Sequence, residues 1–178
     1  SIQTLYRTTL RNHIKLSDIA DTKANILLSV NAIIISVGGG GLIGGTASYL
    51  KSVWPEINMI GCSPENSAVM IHSIKAGRVL ALESKPTLSD GTAGGVEKDS
   101  ITFPICQTVI DESVLVTEDE IKQAMILYIE KEHQLLEGAA GTAVAALVKK
   151  KDDLKGKRVG VVICGGNIGL DTIRELLK

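Results

Sequence analysis

The feature that most limits what this chain can become is a run of four glycines, Gly38-Gly39-Gly40-Gly41, set between two apolar segments. Ala32-Ile33-Ile34-Ile35-Ser36-Val37 precedes it, a β-branched run of strand length, and the segment Leu42 to Lys51 that follows reads as a helix. Strand, glycine turn and helix in that order put a loop without Cβ atoms at a helix N-terminus. Such a backbone takes positive φ and aims successive N–H groups at one point, where the helix adds its own unpaired N–H groups and partial positive charge. A phosphate fits that point. A flexible linker is the competing reading, but linkers carry Ser, Asn or charge on their flanks, and these flanks are apolar. The spacing is neither G-x-G-x-x-G with an acid about 20 residues later nor a loop that ends in Gly-Lys-Ser/Thr, so a phosphate on some other cofactor suits it better.

The rest of the chain agrees with a parallel sheet. With one Phe, one Trp and three Tyr in 178 residues, the core has to be built from Ile, Val, Leu and Ala, as it is in parallel sheets covered by helices. The apolar fraction of 44% is enough for the core of one domain. A formal net charge of −1 gives no electrostatic footing for a nucleic-acid partner. Cys62, Cys106 and Cys164 are odd in number and far apart, which matches neither a disulfide framework nor a zinc site and points to a reducing, cytoplasmic compartment. Between Lys23 and Lys51 no side chain is charged, a length that reaches across a bilayer. A buried βα unit leaves the same gap, and Asn25, Asn31 and six glycines speak against a span; a membrane anchor stands as the alternative. The apolar stretch starts too deep for a secretory signal.

In chain order, residues 1–30 form an N-terminal helix, with Leu16, Ile19, Ala20, Ala24, Leu27 and Leu28 at helical spacing, and residues 31–178 form the α/β domain. Asn58 to Cys62 is a short strand closed by Pro64, and Ser67 to Gly77 a helix capped by Gly77. Arg78 to Ser100, with Asp90-Gly91-Thr92-Ala93-Gly94-Gly95, reads as a long functional loop, against the plainer reading of a surface loop rich in turn formers. Ser113 to Val116 is a strand. Thr117-Glu118-Asp119-Glu120 is a capping box that opens a helix through Ile121, Ala124, Met125, Tyr128 and Leu135, and its acids serve the helix start rather than catalysis. Glu137 falls at the end of that helix, a small-residue helix runs from Thr142 to Val148, and Lys149-Lys150-Lys151-Asp152-Asp153 is its solvated tail. Lys157 to Ile163 is a buried strand that ends in Cys164-Gly165-Gly166-Asn167, a second glycine turn. Two glycine turns at strand C-termini put their ligand contacts on one edge of the sheet.

These motifs together resemble the pyridoxal-phosphate enzymes of fold type II, in the threonine/serine dehydratase branch that includes serine racemases. Over about residues 31–178, Val37-Gly38-Gly39-Gly40-Gly41-Leu42 looks like that family's phosphate loop, Asp90 to Gly95 like its cofactor-side loop, Leu136-Glu137-Gly138-Ala139-Ala140-Gly141 like its Glu-containing turn, and Ile163-Cys164-Gly165-Gly166-Asn167 like its terminal strand. The resemblance implies an open, mostly parallel α/β sheet with helices on both faces, a partial tryptophan synthase β-like fold. It also implies pyridoxal 5′-phosphate held by Gly38, Gly39, Gly40, Gly41, Leu42, Gly91, Glu137, Cys164 and Gly165, with Cys164 at the pyridine nitrogen. The implied reaction is β-elimination from a small hydroxy amino acid, Ser or Thr, to a 2-oxo acid and ammonia. A neutral thiol there leaves the ring a weak electron sink, which favours eliminating the β-hydroxyl. Without the family, Cys164 reads as a small residue at a strand end. The divalent-cation positions of some members match Ser63 and Val69, so no metal is expected.

The resemblance departs at the N-terminus. The family's first half supplies the Schiff-base lysine and a loop for the substrate carboxylate; no lysine here matches that motif, so the catalytic residue is left unassigned and activity is expected to be impaired or absent. Residues 5–36 are instead similar to the membrane segment of bacterial antiphage effectors that respond to cyclic pyrimidine nucleotides, which implies a chimeric join near Asn31 to Val37. An incomplete sheet has open edges, so self-association into a homo-oligomer is expected. A membrane-anchored effector or oligomerisation module and an inert α/β scaffold are the rival readings.

Overall fold

A computed structural model describes residues 30–177, and the expected N-terminal helix lies outside them. Residues from Asn31 onward form one compact unit. Four strands, β1 (Ala32–Ser36), β2 (Asn58–Pro64), β3 (Glu112–Val116) and β4 (Val159–Val161), build a sheet in the order β3-β2-β1-β4. All three pairings are parallel, with Ser36 opposite Cys62 and Ile34 opposite Val161. The helices are α1 (Gly41–Val53), α2 (Val69–Ala76), α3 (Thr102–Val109), α4 (Glu118–Glu132), α5 (Gly138–Lys149) and α6 (Leu170–Leu176). The architecture is an open parallel α/β sheet.

Both faces of the sheet are covered, which is why β1 reads as an unbroken apolar run rather than an alternation. On one face Ala32, Ile34, Ile60, Cys62, Val114 and Val116 form a single core with α4 and α5. Small residues let those helices close: a Cβ on Gly141 of α5 would stand 2.6 Å from Met125 Cγ of α4. On the other face Ile35, Val37 and Met59 are fully buried with Ile43 and Ala47 of α1, Met70 and Ile71 of α2, and Cys106 of α3.

The structure moves several boundaries. The uncharged run between Lys23 and Lys51 is divided, over its described part, into β1, the glycine loop and α1. Among the described residues no helix is long and apolar enough to cross a membrane. Helix α4 stops at Glu132, short of Leu135, because His133 turns left-handed with φ 56° and caps it. Helix α5 starts at Gly138 rather than Thr142, and Glu137 is its N-cap, not the end of α4. Lys149 and Lys150 are not a free tail: they pair with Glu120 at 3.0 Å and Glu112 at 2.6 Å and tie α5 to the start of α4 and to β3. Helix α3 was not anticipated from the sequence at all. The capping box is present, with the Glu120 N–H donating to Thr117 Oγ1 and the Thr117 N–H to the Glu120 carboxylate.

Candidate functional site

Strands β1 and β4 are neighbours and parallel, so the glycine turns that follow them meet at one edge of the sheet. Gly40, the N-cap of α1, has φ +84°, and a Cβ there would stand 2.6 Å from Cys106 Sγ and 2.9 Å from Met70 Cε. That position needs glycine both for its backbone and for its neighbours. Helix α3 fixes the loop from behind: the Thr102 hydroxyl donates to the Gly39 carbonyl at 2.5 Å and the Cys106 thiol to the Gly40 carbonyl at 3.4 Å. With the carbonyls held on that side, the amides are left free. The N–H groups of Gly38, Gly39 and Gly40 find no acceptor among the described residues.

The loop borders a cavity of about 230 Å³ that also holds Ser36, Gly91, Thr92, Glu137, Ala139 and Cys164. Gly38 lets the backbone of Thr92 approach, since a Cβ would come within 3.0 Å of the Thr92 Cα and carbonyl oxygen, whereas at Gly39 and Gly41 a Cβ would meet nothing within 4 Å. The 3₁₀ turn Asp90–Thr92 supplies Gly91 and Thr92; the Ser89 and Thr92 hydroxyls hold it together at 2.6 Å. Across the cavity the Glu137 N–H donates to the Gly165 carbonyl at 3.2 Å, and the Glu137 carboxylate occupies the place where a Cβ of Gly165 would stand. Gly138 passes so close to the Leu88 carbonyl that no side chain fits, which docks the Asp90 loop on the start of α5. Cys164 Sγ lies 3.1 Å from Ser36 Oγ.

Thus the structure brings Gly38, Gly39, Gly40, Gly41, Leu42, Gly91, Glu137 and Cys164 to one cavity, with Gly165 against Glu137 on its wall. Gly94 and Gly95, in the same loop motif, do not line it; the Gly94 N–H is spent on Ser67 Oγ. Ser36, Ile43, Thr92 and Ala139 line the cavity without having been expected there from the sequence. Thr92 and Ala139 stand inside the loop and turn motifs, and Ser36 carried a signal of its own, a hydroxyl in an otherwise apolar strand. The sulfurs differ sharply in setting. Burial, and then the neighbouring Cys164, push the Cys62 thiol far up, and burial pushes Cys106 up, so neither offers a thiolate near neutral pH.

This donor set suits a phosphorylated ring cofactor. Amides at the head of α1 with no Cβ in front of Gly39 and Gly41 could hold a phosphate, and among the described residues no Lys, Arg or His lines the cavity. The Cys164 thiol and the Ser36 hydroxyl, lining the same cavity, suit a ring nitrogen.

The model of the pyridoxal-phosphate dependent enzyme family matches residues 14–165, starting upstream of the residue 31 boundary drawn from sequence motifs and ending just after Cys164. The L-threonine ammonia-lyase of Thermotoga maritima is 41% identical over 152 residues, which cover 85% of this chain and 37% of that protein. The structure of serine racemase from Dictyostelium discoideum matches with a TM-score of 0.71 at 38% identity over 79% of this chain and 45% of that one. The processed form of threonine deaminase isoform 2 from Solanum lycopersicum matches with a TM-score of 0.77 at 30% identity over 83% and 43%. The chain spans less than half the length of these relatives. A family match over most of the chain, a shared parallel α/β fold and a glycine cradle that faces a thiol at one sheet edge agree: the chain belongs to the pyridoxal-phosphate dependent enzyme family.

Proposed function

We propose that this chain forms the phosphate- and ring-binding part of an enzyme that removes the β-hydroxyl of serine or threonine. The net reaction loses the α-proton and the β-hydroxyl as water, and hydrolysis of the released enamine gives a 2-oxo acid and ammonia. The observation that carries the proposal is the cradle Gly38–Gly41, its amides free, opening on the cavity that Cys164 lines. The relatives named for threonine ammonia-lyase and threonine deaminase support the reaction class.

Pyridoxal phosphate, when bound, supplies an electron sink at the α-carbon of an amino acid. Gly38 to Gly41 and the head of α1 bind its phosphate through N–H groups that are already in place. Cys164 would meet the ring nitrogen through its thiol. A thiol does not hold that nitrogen protonated as a carboxylate would, and the weaker sink favours losing the β-hydroxyl. Glu137, the N-cap of α5, closes the cavity over Gly165 and Gly91. Among the described residues no lysine lines the cavity, so turnover calls on a lysine from outside them. A membrane-anchored module, suggested by the resemblance of residues 5–36 to effector membrane segments, is the rival reading; within that stretch Ala32 to Ser36 form the interior strand β1, and the family match already begins at residue 14.

Titration with pyridoxal phosphate, following melting temperature and the visible absorbance band, tests the reading. A rise in melting temperature supports the cradle, and a band that borohydride traps on one lysine identifies the missing group. A melting temperature unmoved by saturating cofactor refutes it.

A further inference from the structure

Ser36 is the only hydroxyl in β1, and it stands on the face of Ala32 and Ile34, a row otherwise buried against α5. It is 4% exposed. A buried hydroxyl needs a partner, and the one it has is Cys164 Sγ at 3.1 Å. Its neighbour across the ladder does not compete, since the Cys62 thiol donates to the Ile35 carbonyl at 3.4 Å. Both Ser36 and Cys164 line the cavity.

The pair has two arrangements. If the thiol donates to Ser36 Oγ, its proton is used up and Cys164 shows the cavity only a weak acceptor. If the hydroxyl donates to sulfur, the S–H is released to point into the cavity. A hydroxyl is the stronger donor of the two, so the second arrangement is favoured, more so when a ring nitrogen waits to accept the S–H.

We propose that Ser36 is a positioning residue that directs the Cys164 thiol proton toward the ring nitrogen of pyridoxal phosphate. The proposal rests on the reading of Cys164 as the ring contact and assigns Ser36 a role that acts wholly through it. The consequence is a polarised chain from hydroxyl to thiol to neutral ring nitrogen, built into the central strand just ahead of the phosphate cradle. The ring end of the site is thereby set separately from the phosphate end.

Calorimetric titration with two probes separates the ends: pyridoxine 5′-phosphate, which has the ring and the phosphate but no aldehyde, and inorganic phosphate. Ser36→Ala weakens pyridoxine 5′-phosphate by roughly two- to tenfold, the worth of one neutral hydrogen bond. Inorganic phosphate binding stays unchanged. In a Cys164→Ala background the Ser36→Ala substitution adds nothing, because its route to the ring is gone. Equal weakening of both probes, an additive effect in the double variant, or no effect of Ser36→Ala on the ring probe overturns the proposal. If the wild-type chain binds neither probe, the cofactor-site reading falls and takes the proposal with it. If Cys164→Ala leaves ring affinity intact while phosphate still binds, the cradle stands and the roles of Cys164 and Ser36 fall.

Discussion

Two neighbouring glycines of one loop answer differently to the same methyl group. Gly40→Ala puts a Cβ on a residue at φ +84°, 2.6 Å from Cys106 Sγ and 2.9 Å from Met70 Cε. The left-handed conformation costs an alanine about 1–2 kcal/mol. Met70 Cε ends a flexible side chain and can withdraw, but Cys106 is fully buried, so overpacking adds about 1–2 kcal/mol more. The sum, about 2–4 kcal/mol, lowers the melting temperature by roughly 5–15 °C for a domain of this size. Gly39→Ala has no such cost, since its Cβ meets nothing within 4 Å and its φ is not left-handed. Its methyl instead enters the space a phosphate would take, and losing hydrogen bonds to a charged group, at about 1.5–3 kcal/mol, weakens pyridoxal phosphate by roughly 10- to 100-fold. Differential scanning fluorimetry and a cofactor titration on both variants decide it. Gly39→Ala with unchanged cofactor affinity, or with a melting temperature as low as that of Gly40→Ala, refutes the reasoning.

Other expectations follow from single contacts. Lys150, by its hydrogen bond, and then Asn58 hold the Glu112 carboxyl below its usual range, so its contribution to stability is full above the unfolded-state value and fades as pH falls through the lower folded one. Glu112→Gln therefore lowers the urea midpoint modestly at neutral pH, where the charged carboxylate contributes in full, and flattens the acid limb of the midpoint plotted against pH, so that the two proteins converge in acid. Cys62 and Cys106 are buried and Cys164 lines the cavity, so one thiol of these three reacts quickly with iodoacetamide in the native state. Peptide mapping identifies it as Cys164, and bound cofactor slows it. Thr117→Ala removes half of the capping box and costs about 1 kcal/mol in urea denaturation, with cofactor binding untouched.

The parts of the fold legible from sequence were those whose signal is local. The β-branched run before four glycines gave β1, the loop and α1, because burial on both faces leaves a continuous apolar stretch. Pro64 and Gly77 punctuate where they stand, one as the last residue of β2 and the other in the left-handed cap after α2. What escaped depends on tertiary contacts. Helix α3 has Pro104 in its first turn, no side-chain N-cap and β-branched residues; it is held because Cys106 and Val109 are buried and its Thr102 and Cys106 grip the glycine loop. Gly138 and Gly141 are poor helix formers, yet they stand in the first turn of α5, because only a residue without a side chain passes the Leu88 carbonyl and Met125 there. That shift turned Glu137 from a helix end into an N-cap. The motif residues of the site were legible because glycines and one cysteine marked both strand ends, whereas the hydroxyl of Ser36, conspicuous in an apolar strand, takes on meaning only with the Cys164 sulfur beside it.

Backbone amides of the glycine loop are proposed to hold the cofactor's phosphate. Amide chemical shifts of the ¹⁵N-labelled protein, followed while inorganic phosphate and then pyridoxal phosphate are added, test it most directly. The amides of Gly38, Gly39, Gly40 and Gly41 are expected to move downfield in a saturable way with both ligands, and those of Cys164 and Gly165 only with the ring-bearing one. Saturable binding that leaves the four glycine amides in place, with shifts clustered elsewhere, would contradict it.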